Sequence, residues 1–308
     1  MKKVVACFLC ILMSIGLLGC KEQESPHLQL QKGVTMTLLD ALRVTNETNN
    51  TVYYYFLADI ENKSKSDFLT DSVIYEITDE SNQKIHPIDS LQRMITKSIA
   101  PDQSSFVYGY VGYPNNNQDN MGLLFPKEKK FLPFSSVKVR EIDDKNVKYS
   151  HSDQFTLFSD SSFAFHVDSK DLEYSFENGN SMVKGLKITY ENKTDRHLVV
   201  PYITPQASML GIDLEDFPDK GDFSKMNTAD IKKVDFSKDG MSARTSKVEG
   251  ISTGYECFYL PAKQKVECDI VFIFEHVVPD FKSDNSKSIV IDLNSSSFGY
   301  TQSIHVKY

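Results

Sequence analysis

The chain has 308 residues, 42 of them acidic and 34 basic, for a net charge of −8 at neutral pH. Electrostatic capture of nucleic acid needs lysines and arginines clustered along a groove, so this balance argues against that class. A hydrophobic fraction of 40% suits packed cores, and the length suits two ordinary domains.

Lys2 and Lys3 open the chain, Val4 to Leu18 form a nearly unbroken apolar run, and Leu17-Leu18-Gly19-Cys20 precedes an abrupt polar switch at Lys21-Glu22-Gln23-Glu24. Such a segment is too short and wrongly flanked for a transmembrane span and reads as an export signal. The Leu-Leu-Gly-Cys ending resembles the lipobox of bacterial lipoproteins. That resemblance implies cleavage between Gly19 and Cys20 and two or three acyl chains, such as palmitate, on Cys20. Stable anchoring needs more than one chain. Loss of Lys2 and Lys3 takes the mature chain to 42 acidic against 32 basic residues, net −10. That charge argues against a second, polybasic membrane contact.

Residues 20–32 read as a lipidated, flexible tether. Beyond it, strand and turn patterns dominate. Val52–Ile60 is aromatic and β-rich and stops at Glu61-Asn62-Lys63-Ser64; Asp71–Thr78, Phe106–Val111 and Val137–Ile142 are further strands. Ser90–Ser98 has some helical character but is too short to change the class. The second half repeats the plan. Leu186–Tyr190 runs into Glu191-Asn192-Lys193-Thr194, Pro261 stands to Val266–Phe274 as Pro101 stands to Phe106–Val111, and Ser288–Leu293 matches Val137–Ile142. The offset grows between the markers, which places an insertion near 207–250, where the strand pattern fades.

The expected fold is all-β, with two tandem antiparallel sandwiches spanning 33–146 and 150–308. This plan resembles the immunoglobulin-like domains of Gram-positive lipoproteins of uncharacterised function. Neither half carries a Cys…Trp…Cys core, and the chain has no Trp.

Candidate chemistry is sparse. Gly250-Ile251-Ser252-Thr253-Gly254 matches a nucleophile elbow, with His276, His305 and Asp269 downstream. The motif requires a helix after the serine, and a strand pattern follows here, so the context argues against a hydrolase using Ser252. The acidic insertion carries Asp213, Asp216, Asp219 and Asp222, oxygen donors that suit calcium. Their spacing is not that of an EF-hand and lysines interleave, so a solvated loop or a partner-binding surface competes with a metal site. After processing only Cys257 and Cys268 remain. A symmetric hairpin about Ala262-Lys263 would set them opposite for a disulfide, but Ala-Lys is a poor two-residue turn. Two small buried thiols is the other reading.

The expected function is a membrane-anchored, extracytoplasmic, non-catalytic binding or accessory module, without cofactor, that engages an envelope protein or glycan. Competing readings are an immunity-type lipoprotein sequestering a secreted toxin or peptide, a transporter-linked solute receptor, which would need α/β lobes, and the Ser252 hydrolase.

Overall fold

A computed structural model describes residues 26–80, 87–94, 96–115, 120–143, 145, 147–148, 152–177, 180–210, 228–234, 247–249, 257–275, 287–295 and 300–306. The protein is all-β and of sandwich type. Its first half contains β1 (His27–Gln31), β2 (Val34–Asn46), β3 (Thr51–Asn62), β4 (Phe68–Leu69), β5 (Glu76–Asp79), β6 (Asp89–Met94), β7 (Ser98–Ile99), β8 (Gln103–Pro114), β9 (Met121–Phe125), β10 (Lys130–Pro133) and β11 (Arg140–Asp143). The large sheet runs β1-β2-β3-β8-β6, with β11 added parallel to β2; β10-β9-β5 and β4-β7 form smaller antiparallel sheets. Ser90–Ser98, expected to lean helical, lies largely in strands β6 and β7.

The second half contains β12 (Gln154–Ser159), β13 (Phe163–Asp168), β14 (Glu173–Glu177), β15 (Asn180–Asn192), β16 (Leu198–Pro201), β17 (Thr204–Leu210), β18 (Thr228–Val234), β19 (Lys247–Glu249), β20 (Cys257–Leu260), β21 (Lys265–Glu275), β22 (Ser288–Ser295) and β23 (Tyr300–His305). Its sheets are β12-β13-β15-β21-β18-β19 with β14 on β15, then β16-β20 and β17-β22-β23. The order matches the first half over ten strands of each, while β11 in the first half and β14 and β19 in the second have no counterpart. β12-β13-β15-β21-β18 stands for β1-β2-β3-β8-β6, β16-β20 for β4-β7, and β17-β22-β23 for β5-β9-β10. Two expectations change accordingly. Ser288–Leu293 corresponds to β9 rather than to Val137–Ile142, because β22 is the middle strand of an antiparallel trio whereas β11 lies parallel on β2. The insertion is also less bare than its sequence suggests, since β18 pairs along β21 and extends the large sheet.

The tether reading is corrected over its last residues. His27-Leu28-Gln29-Leu30-Gln31 alternates with period two, pairs with β2, and packs Leu28 and Leu30 on the first-half core. Gly33 closes the turn at φ +80°, a conformation that costs glycine nothing. Pro26 is already fixed, its carbonyl accepting the Leu38 N–H at 2.8 Å.

Among the described residues, two core clusters organise the molecule. One fills the first sandwich, with Val34, Met36, Leu38, Ala41, Val52, Tyr54, Phe56 and Ala58 from the large sheet. The other fills the second half and continues across the boundary to Leu42, Val44, Tyr53, Tyr55, Leu57, Tyr110 and Ile142. Strand β3 is therefore buried on both faces, which is why Val52-Tyr53-Tyr54-Tyr55-Phe56-Leu57-Ala58 is a continuous apolar run rather than an alternation. In β2 a bulge between Leu38 and Asp40 changes which face each parity serves. Residues 34, 36 and 38 face the first core, while 42 and 44 face the second half.

Candidate functional site: a buried ionic node at the seam

Because of that bulge, Asp40 meets the second half. Its carboxylate, wholly buried, accepts from Arg140 Nε at 3.0 Å and Nη2 at 2.5 Å, a two-pronged pair. β11 brings Arg140 there by pairing Arg140 with Leu42. The third partner is the backbone of Val199 in β16, whose N–H donates to Asp40 Oδ2 at 2.8 Å and whose carbonyl accepts from Arg140 Nη2. The guanidinium carbon lies 5.2 Å from the centre of the Phe163 ring in β13, a cation–π arrangement strengthened by burial. Buried charges are tolerated when paired and hydrogen-bonded, and the planar fork of arginine suits a carboxylate plus one carbonyl.

Toward the other side of the seam, the His197 ring lies tilted against Phe106 with centroids 5.2 Å apart, and the Phe106 and Tyr259 ring centroids are 4.9 Å apart. His197 Nδ1 and Asp59 Oδ1 are buried there without a hydrogen-bond partner among the described residues. Burial raises the Asp59 carboxyl above its ordinary range, helped by Glu61 and opposed by a hydrogen bond from Ser104 and by His197. The node's ionic and hydrogen bonds run among Asp40, Arg140 Nε and Nη2, and the Val199 backbone, while Arg140 Nη1 is buried without a hydrogen-bond partner among the described residues; the node joins the two halves.

The repeated Glu-Asn-Lys-Ser/Thr tetrads are structural. Asn62 and Asn192 are buried at the ends of β3 and β15 and tie each long strand to its opposite sheet. The Asn62 amide donates to the Ser66 and Ile99 carbonyls, while its oxygen accepts the Ser64 N–H. Asn192 donates to the Arg196, Leu260 and Pro261 carbonyls and accepts from the Thr194 N–H and hydroxyl. The facing turns also match, with Gln103 N–H to Ala100 and Gln264 N–H to Pro261, and with Asp102 and Lys263 at φ +58° and +55°. Pro101 therefore corresponds to Ala262, one residue away from the proline alignment.

Of the residues singled out in the sequence, Gly19, Cys20, Asp213, Asp216, Asp219, Asp222, Ser252 and His276 lie outside the described residues. His305 is exposed on β23, with Asp269 on β21. Among the described residues, no three His, Cys, Asp or Glu side chains are grouped to hold a metal. Cys257 and Cys268 are buried thiols on β20 and β21, not joined in a disulfide. The turn between them does not close a hairpin. It crosses between sheets, since β20 pairs with β16 and β21 with β15 and β18. Burial pushes the Cys268 thiol up to about 12, with Asp269 and Glu267 adding to it.

Sequence reasoning passed over Asp40 and Arg140, a hundred residues apart. The available signal was a single charge inside the apolar segment Leu38-Leu39-Asp40-Ala41-Leu42; Arg140, beside Glu141 in Val139-Arg140-Glu141-Ile142, gave none.

No family model and no curated protein matches the chain. Among solved structures, the secreted serine protease VesC from Vibrio cholerae aligns at 9% identity over 82% of this chain and 47% of that one, with a TM-score of 0.17. The chain thus spans about half the length of that protein, and a likeness at this level carries no argument about fold or activity.

Proposed function

We propose that the protein is a membrane-anchored, extracytoplasmic lipoprotein whose two immunoglobulin-like sandwiches, over 33–146 and 150–308, act as a non-catalytic binding or accessory module of the cell envelope. The observation that carries this reading is the succession of Lys2-Lys3, the apolar run to Leu18, and Leu17-Leu18-Gly19-Cys20 directly before the polar switch. The body that follows supports it. A double sandwich tied at a buried ionic node is suited to holding surface loops in fixed relation, and loops on rigid scaffolds are where recognition resides. An envelope protein or glycan is the partner class that fits such a displayed module.

The test is expression of the full chain in a bacterial host, followed by mass analysis of the N-terminal peptide. The reading predicts a peptide beginning at Cys20 with added acyl mass, and a Cys20→Ala protein that leaves the detergent-rich phase. An unmodified Cys20 inside an uncleaved chain overturns it.

A further inference from the structure

Resting on Cys20 as the lipid-bearing residue, we propose that the end of the first sandwich formed by the β1–β2 turn and the β9–β10 turn lies against the membrane, held there by its lysines and anionic lipid headgroups. The argument begins with reach. Five residues lie between Cys20 and Pro26, six Cα–Cα steps, and Pro26 is fixed to β2 by its hydrogen bond to Leu38. Fully extended, such a segment spans at most about 20 Å. Along β2 the turn at Gly33 is five residues from Leu38, roughly 17 Å, whereas the opposite end at Asn46 is eight residues away, roughly 27 Å. The leash reaches a bilayer lying beyond the first end and falls short of one lying beyond the second. The second half moreover covers the outer face of β2 from Asp40 through Val44, toward the end the leash cannot reach.

The charge distribution agrees. Residues 26–39 contain Lys32 and no acidic residue, and residues 121–139 contain Lys127, Lys129, Lys130 and Lys138 against Glu128 alone. The two segments adjoin, since Lys130 Nζ donates to the Gln29 carbonyl at 2.6 Å. Lys32, Lys127, Lys129, Lys130 and Lys138 are exposed. Nearby, Lys63 N–H donates to the Gly33 carbonyl, and Glu61 is occupied by the Lys63 ammonium at 3.0 Å. The acidity of the whole chain, which argued against a basic membrane contact, conceals this local excess. Lysines close to an anionic leaflet are attracted within about a Debye length of roughly 10 Å, a distance that the short leash enforces.

The experiment uses the full-length lipidated protein in vesicles of phosphatidylcholine, with or without phosphatidylglycerol, carrying a quencher on the lipid headgroup. One fluorophore is placed by Lys65→Cys, beside the turn that touches Gly33, and in a separate protein by Asn49→Cys, at the opposite end. The native Cys257 and Cys268 are buried and stay unlabelled. Expected are quenching at position 65 and none at 49, stronger when phosphatidylglycerol is present, with Lys127→Glu/Lys129→Glu reducing it to the phosphatidylcholine level. Quenching at 49, at neither position, or equally in both lipids overturns the proposal. Mass analysis of Cys20 in the same samples separates this failure from failure of the lipidation reading, in which no acyl mass is found.

Discussion

Leu69 in β4 and Val199 in β16 occupy the same place in the two halves, seven residues past Asn62 and Asn192, yet Leu69 is 62% exposed and Val199 wholly buried. The strands themselves are equivalent, with Phe68 facing Ile99 as Leu198 faces Leu260. What differs is the surface each small sheet meets. The outer face of the first sandwich offers Leu42, Val44, Tyr53, Tyr55 and Tyr110, together with a buried carboxylate at the strand level where Val199 has backbone groups to satisfy. A repeated unit thus supplies a shared ten-strand topology, and a bulge at Leu39 with one long-range arginine turns two units into one.

Breaking the node should have the largest effect. Arg140→Ala leaves Asp40 buried and unpaired and is expected to cost about 3–5 kcal/mol in urea denaturation, whereas joint replacement by leucine at 40 and methionine at 140 costs far less. Next come the strand-end amides. Asn192→Ala and Asn62→Ala each strand buried backbone groups, at about 2 kcal/mol, and Asn192 is the costlier because it satisfies three carbonyls rather than two. A pH-dependent effect is expected at Asp59. Its folded carboxyl is raised, so the stability it contributes is complete below the ordinary value of 3.8 and is lost as pH rises through the folded value. Asp59→Asn cannot ionise and should therefore gain on the parent as pH rises above 3.8, the two converging below it in a series of urea midpoints. The smallest effect belongs to Leu69→Ala, within about 0.5 kcal/mol of the parent. The equivalent Val199→Ala, fully buried, should cost about 2 kcal/mol, and equal costs would erase the distinction between the two sheets.

Much of this fold was legible in the residues. The repeat was visible in Asn62 and Asn192 because an amide at a strand end performs a specific backbone task, and the β class was visible in runs such as Val52–Ile60. The double burial of β3 was written in its unbroken apolar sequence. The face on which Asp40 lies was not legible, because a one-residue bulge changes facing without changing composition. The β1 strand was passed over because two leucines in a polar stretch form a weak signal. Of the site, the lone charge of Asp40 in an apolar run was the one local hint, and it did not name Arg140 as the partner, since the contact is made only when β11 returns parallel to β2.

The most direct measurement is a double-mutant cycle across the node, with Asp40→Leu, Arg140→Met and the pair, read as unfolding free energies of the full chain. The two-into-one account predicts a coupling of about 1–3 kcal/mol between the positions, with a single unfolding transition in the parent protein. Additive costs, with the halves of the parent melting in two separate transitions, would contradict it.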